Sequence, residues 1–257
     1  MTTMTETLPG ILTEIAGGVM TLTFNRPDKK NALTSEMYAA LADGFAAAEA
    51  DPAVRVILLT GAGGAFTAGN DLQDFLARPP QGDEAPVSRF LRALATASKP
   101  LVAAVQGVAV GVGTTMLLHC DLVYAGESAR LSMPFVNLGL VPEAASSLLL
   151  PRLAGHQKAA ELLMFGEPID ARAAREIGLV ADVFDDAVLV AEVRARTAKL
   201  AAKAPEALRL TKRLMKAPKA TVAEQMAEEG ALFRERLHSA EAREAFTAFM
   251  EKRAPRF

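Results

Sequence analysis

Two apolar runs, Val54-Arg-Val-Ile-Leu-Leu-Thr60 and Leu101-Val-Ala-Ala-Val105, each lead directly into a glycine-rich turn and then toward a helical stretch. A shorter run, Asp121 to Ala125, follows the second of these units. Strands joined through helices lie parallel and are covered on both faces, so this recurrence predicts an α/β core with largely parallel pairing. Ahead of it, Val19-Met-Thr-Leu-Thr-Phe24 alternates as a half-buried strand does, and Asn25-Arg-Pro-Asp28 breaks it. Helices are expected from Thr34 to Ala50, from near Asp71, and from Gly111 to His119. Residues 78–86 read as an exposed, mobile loop. From Gly155 the pattern turns helical to the end, which suggests a core over residues 1–190 and a helical C-terminal region over 191–257.

Several function classes lose support on composition. A formal charge of −2 on 257 residues gives no general attraction to nucleic acid or anionic membrane. Nine basic residues between Arg194 and Lys219 face the single acid Glu206; they read equally as a solvated helix face or as a local anion-binding rim. One cysteine, Cys120, excludes an intrachain disulfide, and the three histidines lack the spacing of a helical metal site, so no metal is expected. The N-terminus has neither the basic nor the apolar region of a signal peptide. The apolar stretch Leu101–Leu118 is broken by polar residues and glycines and reads as buried strand plus helix rather than a membrane span. The expected location is cytoplasmic.

The glycine turns, Gly61–Gly69 and Gly107–Gly113, are neither a P-loop nor a dinucleotide fingerprint, because Phe66 and Met116 stand where a third glycine would. Each lies at a strand-to-helix junction, where backbone N–H groups are available to hold negative charge. His119-Cys120-Asp121 cannot form a triad, since adjacent side chains diverge, and it reads as structural.

Four segments in register, Asn25-Arg-Pro-Asp-Lys-Lys-Asn-Ala-Leu33, Gly61-Ala-Gly-Gly-Ala-Phe-Thr-Ala-Gly-Asn-Asp-Leu72, Lys99 to Gly113 and Pro134-Phe-Val-Asn-Leu-Gly-Leu-Val-Pro-Glu143, resemble the crotonase (enoyl-CoA hydratase/isomerase) superfamily. Ala68-Gly-Asn-Asp-Leu72, Met133 to Ser147 and Leu163-Met-Phe-Gly166 are similar to the peroxisomal-type Δ3,Δ2-enoyl-CoA isomerase branch. The resemblance implies a crotonase-like spiral of ββα units, a helical C-terminal region that builds a trimer or dimer of trimers, and an acyl-CoA as substrate with no separate cofactor. It further implies an oxyanion hole made by the N–H groups of Ala68 and Val112, whose side chain must then point away from the acyl group.

The two glutamates that hydratases of the family use correspond to Thr115 and Phe135, so the resemblance implies isomerisation with Glu143 as the single catalytic base. Phe135, Leu138, Leu140 and Val141 provide an apolar surround that would raise its pKa. Asp71 suits a helix cap better than a second acid. Arg26, Lys29 and Lys30, and the Lys212-Arg213 and Lys216 segment, are candidates for the CoA phosphates. Ala68, Gly69, Asn70, Asp71, Leu72, Val112 and Phe135 are expected around the acyl group. Hydration of a 2-enoyl-CoA, another crotonase-type reaction, and inactive acyl-CoA binding stand as the alternatives.

Overall fold

The computed structural model describes residues 4–217 and 221–257, with side chains from residue 8 onward. Lys219 of the basic stretch and the first three residues lie outside the described residues.

Among the described residues, ten strands form two sheets. They are β1 (Met4–Leu8), β2 (Ile11–Ala16), β3 (Val19–Phe24), β4 (Val56–Gly61), β5 (Leu101–Val105), β6 (Val108–Val110), β7 (Leu122–Gly126), β8 (Arg130–Ser132), β9 (Ile169–Asp170) and β10 (Asp182–Phe184). The larger sheet runs β1-β2-β3-β4-β5-β7-β10, antiparallel through β3 and parallel from there on. The smaller one is β6-β8-β9. Helices α1 (Ser35–Ala50), α2 (Leu72–Ala77), α3 (Pro86–Thr96) and α4 (Val112–Thr115) separate the early strands. They are followed by α5 (Ser146–Ala154), α6 (His156–Phe165), α7 (Ala171–Glu176), α8 (Asp186–Ala201), α9 (Pro205–Lys216), α10 (Val222–Leu237) and α11 (Ala240–Met250).

A strand of the large sheet is repeatedly followed by a short extended segment outside that sheet and then a helical turn. β4 is followed by the Thr67 bridge to Ala109 and α2; β5 by β6 and α4; β7 by β8 and the 3-10 turn Val136–Leu138. These are the turns of the expected spiral. The period of two along each strand explains the burial on both faces. In β4, Ile57 and Leu59 join the core under α1 and α3, whereas Val56 and Leu58 face Leu189, Val193 and Ala201 of α8.

The structure differs from the sequence expectations in four places. β9 and β10 interrupt the region read as wholly helical, and β10 closes the edge of the large sheet by pairing with β7. α3 was not anticipated, although Pro86 at its start and the spacing of Val87, Phe90, Leu91 and Leu94 are helical signals. The stretch expected as a helix from Gly111 to His119 is a short α4 continued by a 3-10 turn, Met116–His119. Finally, α8 runs across position 190 and packs on the sheet through Leu189, Val193 and Ala201. Among the described residues no helix is long and apolar enough to cross a membrane.

Candidate active site

The site begins with the break after β3. Asn31, fully buried and at φ 58°, donates to Ala62 O (2.8 Å) and Ala65 O (2.7 Å) and accepts from Arg26 N (2.8 Å). Thr67 Oγ1 donates to Asn31 O (2.7 Å), and its own oxygen accepts from Gly69 N (3.1 Å). Leu33 then pairs with the turn, its N–H donating to Gly69 O and its carbonyl accepting from Asp71 N, both at 2.8 Å. One glycine turn is thereby clamped to the Asn25–Leu33 loop. Its approach to the second turn needs the missing side chains. A Cβ on Gly69 (φ +87°) would lie 2.6 Å from Val110 O, and one on Gly107 (φ +57°) 2.2 Å from Gly64 O.

This clamp corrects the first expected oxyanion donor. Ala68 N–H already donates to Lys30 O at 2.9 Å, so it is not available to a ligand. Two positions on, the Asn70 N–H has no acceptor among the described residues, because the Leu33 bridge engages only the backbone groups on either side of it. Val112 N–H, at the start of α4, is likewise without an acceptor among the described residues. Both residues line a cavity of about 180 Å³, together with Ala68, Gly69, Leu72, Phe75, Phe135, Leu138 and Leu140. The Val112 side chain is buried in the main core, as its place there requires. Phe75 also lines a neighbouring cavity of about 270 Å³ between α1, α2 and α3.

Glu143 lies in the loop before α5 and is not part of the cavity wall itself. Its carboxylate accepts from Thr115 Oγ1, on the same short helix as Val112. Burial pushes its carboxyl above the ordinary value, and the Thr115 hydroxyl only partly opposes that shift. Leu138, Leu140 and Val141, expected to shield it, are themselves exposed; only Phe135 among the four is buried. Tyr38 of α1 is buried and donates to Asn70 Oδ1. Burial pushes its hydroxyl well above the usual range, and the charge of Glu143 adds to that. Tyr38, Asn31 and Thr67 were not among the expected site residues. A polar side chain within a buried stretch was the available signal for each.

The remaining candidates separate cleanly. Asp71 caps α2 by accepting from Gln73 N (3.1 Å) and Asp74 N (3.2 Å) and pairs with Arg26 Nη1 (2.6 Å). The Arg26 guanidinium holds the Asp71 carboxyl below its usual range, which disqualifies it as a base near neutrality. Arg26 also donates to Ala32 O (3.2 Å), so it fastens the loop rather than offering a free cation to phosphate. Lys29 and Lys30 are exposed on the adjoining 3-10 turn. The basic stretch is mostly paired within the chain: Arg194 with Glu14, Arg196 with Asp182, Arg209 with Glu206 and Arg213 with Glu228. Lys212 is buried against Asp121 (2.8 Å), and Lys216 donates to His119 O (2.8 Å). Lys212 is therefore a tie between elements and not a phosphate ligand.

Residues 14–257 match the family described as enoyl-CoA hydratase/isomerase. The 1,2-epoxyphenylacetyl-CoA isomerase of Escherichia coli (strain K12) is 39% identical over 255 residues, covering 96% of this chain and 97% of its own. Enoyl-CoA delta isomerase 2 of Rattus norvegicus is 39% identical over 213 residues, which is 80% of this chain and 54% of that protein. A solved structure from Magnetospirillum magneticum AMB-1 superposes with a TM-score of 0.93 at 48% identity, covering 96% of this chain and 98% of that one.

Proposed function

The chain belongs to the enoyl-CoA hydratase/isomerase family and is a crotonase-type acyl-CoA enzyme, and from that premise we propose that it moves a double bond from C3 to C2 of a 3-enoyl-CoA. The observation that carries this reading is the contrast between the two carboxyls near the donor pair. Glu143 is desolvated and raised, whereas Asp71 is locked as an anion by Arg26 and a helix cap. Adding water across a 2-enoyl-CoA by the family's two-glutamate route needs a second carboxylate, and Thr115 and Phe135 stand in those places.

In this reading the thioester oxygen sits between the N–H groups of Asn70 and Val112. Glu143 takes a proton from C2, the electrons move into the thioester as an enolate, and the two N–H groups stabilise the oxygen as its charge grows. The same carboxyl returns the proton at C4, and the double bond closes between C2 and C3. One base that is basic on the way in and acidic on the way out serves both steps, which a carboxyl raised by burial suits. Lys29 and Lys30, exposed at the rim, are the cations left for the CoA phosphates.

The test is product identification by mass across 3-enoyl-CoA, 2-enoyl-CoA, an aryl epoxide CoA thioester and the matching free 3-enoic acid. The expected result is conversion of the 3-enoyl-CoA alone. Formation of 3-hydroxyacyl-CoA from the 2-enoyl-CoA would favour hydration instead, and turnover of the epoxide would favour the reaction named for the Escherichia coli relative. Binding without any turnover would leave an inactive acyl-CoA binder.

Assembly into a trimer or dimer of trimers belongs to the same proposal, with the exposed apolar residues of the last two helices as its contact surface. Leu200 packs against the sheet of its own chain, whereas Val222, Met226 and Phe233 of α10 and Phe246, Phe249 and Met250 of α11 stand exposed. Apolar surface of this extent marks an interface. Light scattering at micromolar concentration should return three or six times the chain mass. Phe249→Glu with Phe233→Glu should lower that mass, and a wild-type monomer would contradict the proposal.

A further inference from the structure

The segment that carries Glu143 holds an uncommon backbone. Ala144 (φ 51°) and Ala145 (φ 54°) are consecutive residues in the left-handed region, which side chains bearing a Cβ avoid. Such a turn persists only if its surroundings hold it. Two groups from one helical segment do so. Thr115 ends α4 and His119 ends the 3-10 turn that follows it, and both reach the turn that carries Glu143. Thr115 Oγ1 donates to the Glu143 carboxylate, and His119 Nε2 lies 2.8 Å from Ala144 O. Because a carbonyl only accepts, Nε2 is the protonated nitrogen. From the other side Ser146, fully buried, donates to Glu143 O through both its N–H (3.0 Å) and its Oγ (2.7 Å).

We propose that His119 is a positioning residue for the reaction: by holding Ala144 O it fixes the left-handed turn that aims the Glu143 carboxylate. The inference rests on the reading of Glu143 as the base. His119 is itself held from behind, where Lys216 Nζ donates to its carbonyl at 2.8 Å, so the turn is tied through His119 to α9. Without the His119 bond the turn can relax toward ordinary φ values, which would swing the Glu143 side chain away from the substrate's C2. Thr115 alone would then have to orient a carboxylate on a loosened backbone. A histidine that merely satisfied a buried carbonyl would affect stability and leave the chemical step intact.

The experiment compares wild type with Glu143→Gln, His119→Leu, His119→Gln and His119→Asn, reading kcat and KM on a 3-enoyl-CoA and binding of a saturated acyl-CoA. His119→Leu should lower kcat about 10- to 100-fold, the scale of a small misplacement of a catalytic group, while acyl-CoA affinity stays within about 3-fold. His119→Gln keeps an N–H near the Nε2 position and should recover most of kcat; His119→Asn is too short and should not. Wild-type kcat in His119→Leu overturns the proposal, as does a His119→Gln variant as slow as His119→Leu. If His119→Leu does not fold, the Gln and Asn pair decides: equal rates in the two overturn it. Full turnover by Glu143→Gln, or none by wild type, removes the reading of Glu143 and the role of His119 with it. Loss in Glu143→Gln together with wild-type kcat in His119→Leu removes only the latter.

Discussion

Glu143→Gln lowers turnover on a 3-enoyl-CoA by about 10²–10⁴-fold, the usual worth of a positioned acid/base, and leaves acyl-CoA binding close to wild type. The amide keeps the shape and can still accept from the Thr115 hydroxyl, so the change removes the base and little else. Exchange of C2 protons with deuterated solvent should disappear in parallel. Equal exchange in both proteins would take Glu143 out of the mechanism. The raised carboxyl also sets the sign of two pH effects. The wild-type rate should rise with pH through a value above the ordinary carboxylate range, because only the ionised form is a base. Stability moves the other way. A group that holds its proton more tightly in the folded state favours folding at low pH, and that contribution is lost as pH rises from the unfolded to the folded pKa. At neutral pH, Glu143→Gln should therefore melt no lower than wild type, and a marked drop in Tm would show that the carboxylate is structural.

Lys212→Met destabilises the protein by about 3–5 kcal/mol, the cost of breaking a buried ion pair from one side. Lys212 Nζ donates to Lys99 O (2.6 Å) and pairs with Asp121 Oδ2 (2.8 Å), which also accepts from Leu101 N (2.7 Å). The three contacts lock α9 onto the beginnings of β5 and β7. With Lys212 gone, the Asp121 carboxylate stays largely buried, and Lys99 O loses its partner. At roughly 2–4 °C per kcal/mol for a chain of this size, Tm should fall by about 6–20 °C. KM for the acyl-CoA should not change. Thermal melts alongside steady-state kinetics check both halves. A raised KM without loss of Tm would return Lys212 to the role of a phosphate ligand.

Features that depend on near neighbours in the chain were legible in the sequence. Alternation placed β3, apolar runs placed β4 and β5, Thr34 and Asp71 marked the starts of α1 and α2, and the glycine turns marked where two backbones meet. The family resemblance singled out Glu143, Val112 and Ala68, and named Asn70 only as one of the residues around the acyl group. What lay beyond reach were facts about contacts between distant segments. β9 and β10, of two and three residues, exist because β8 and β7 present edges to them, and so short a stretch carries no period of its own. The resemblance placed the first oxyanion donor at Ala68, but in the fold a carbonyl from Lys30 engages that N–H and leaves the one at Asn70 open. Arg26 and Lys212 are cations in any sequence reading, and only folding brings Asp71 and Asp121 within reach of them. The basicity of Glu143 is likewise a tertiary property. Its carboxyl is raised by the packing that surrounds it, and burial of a side chain is set by the segments that the chain folds against it.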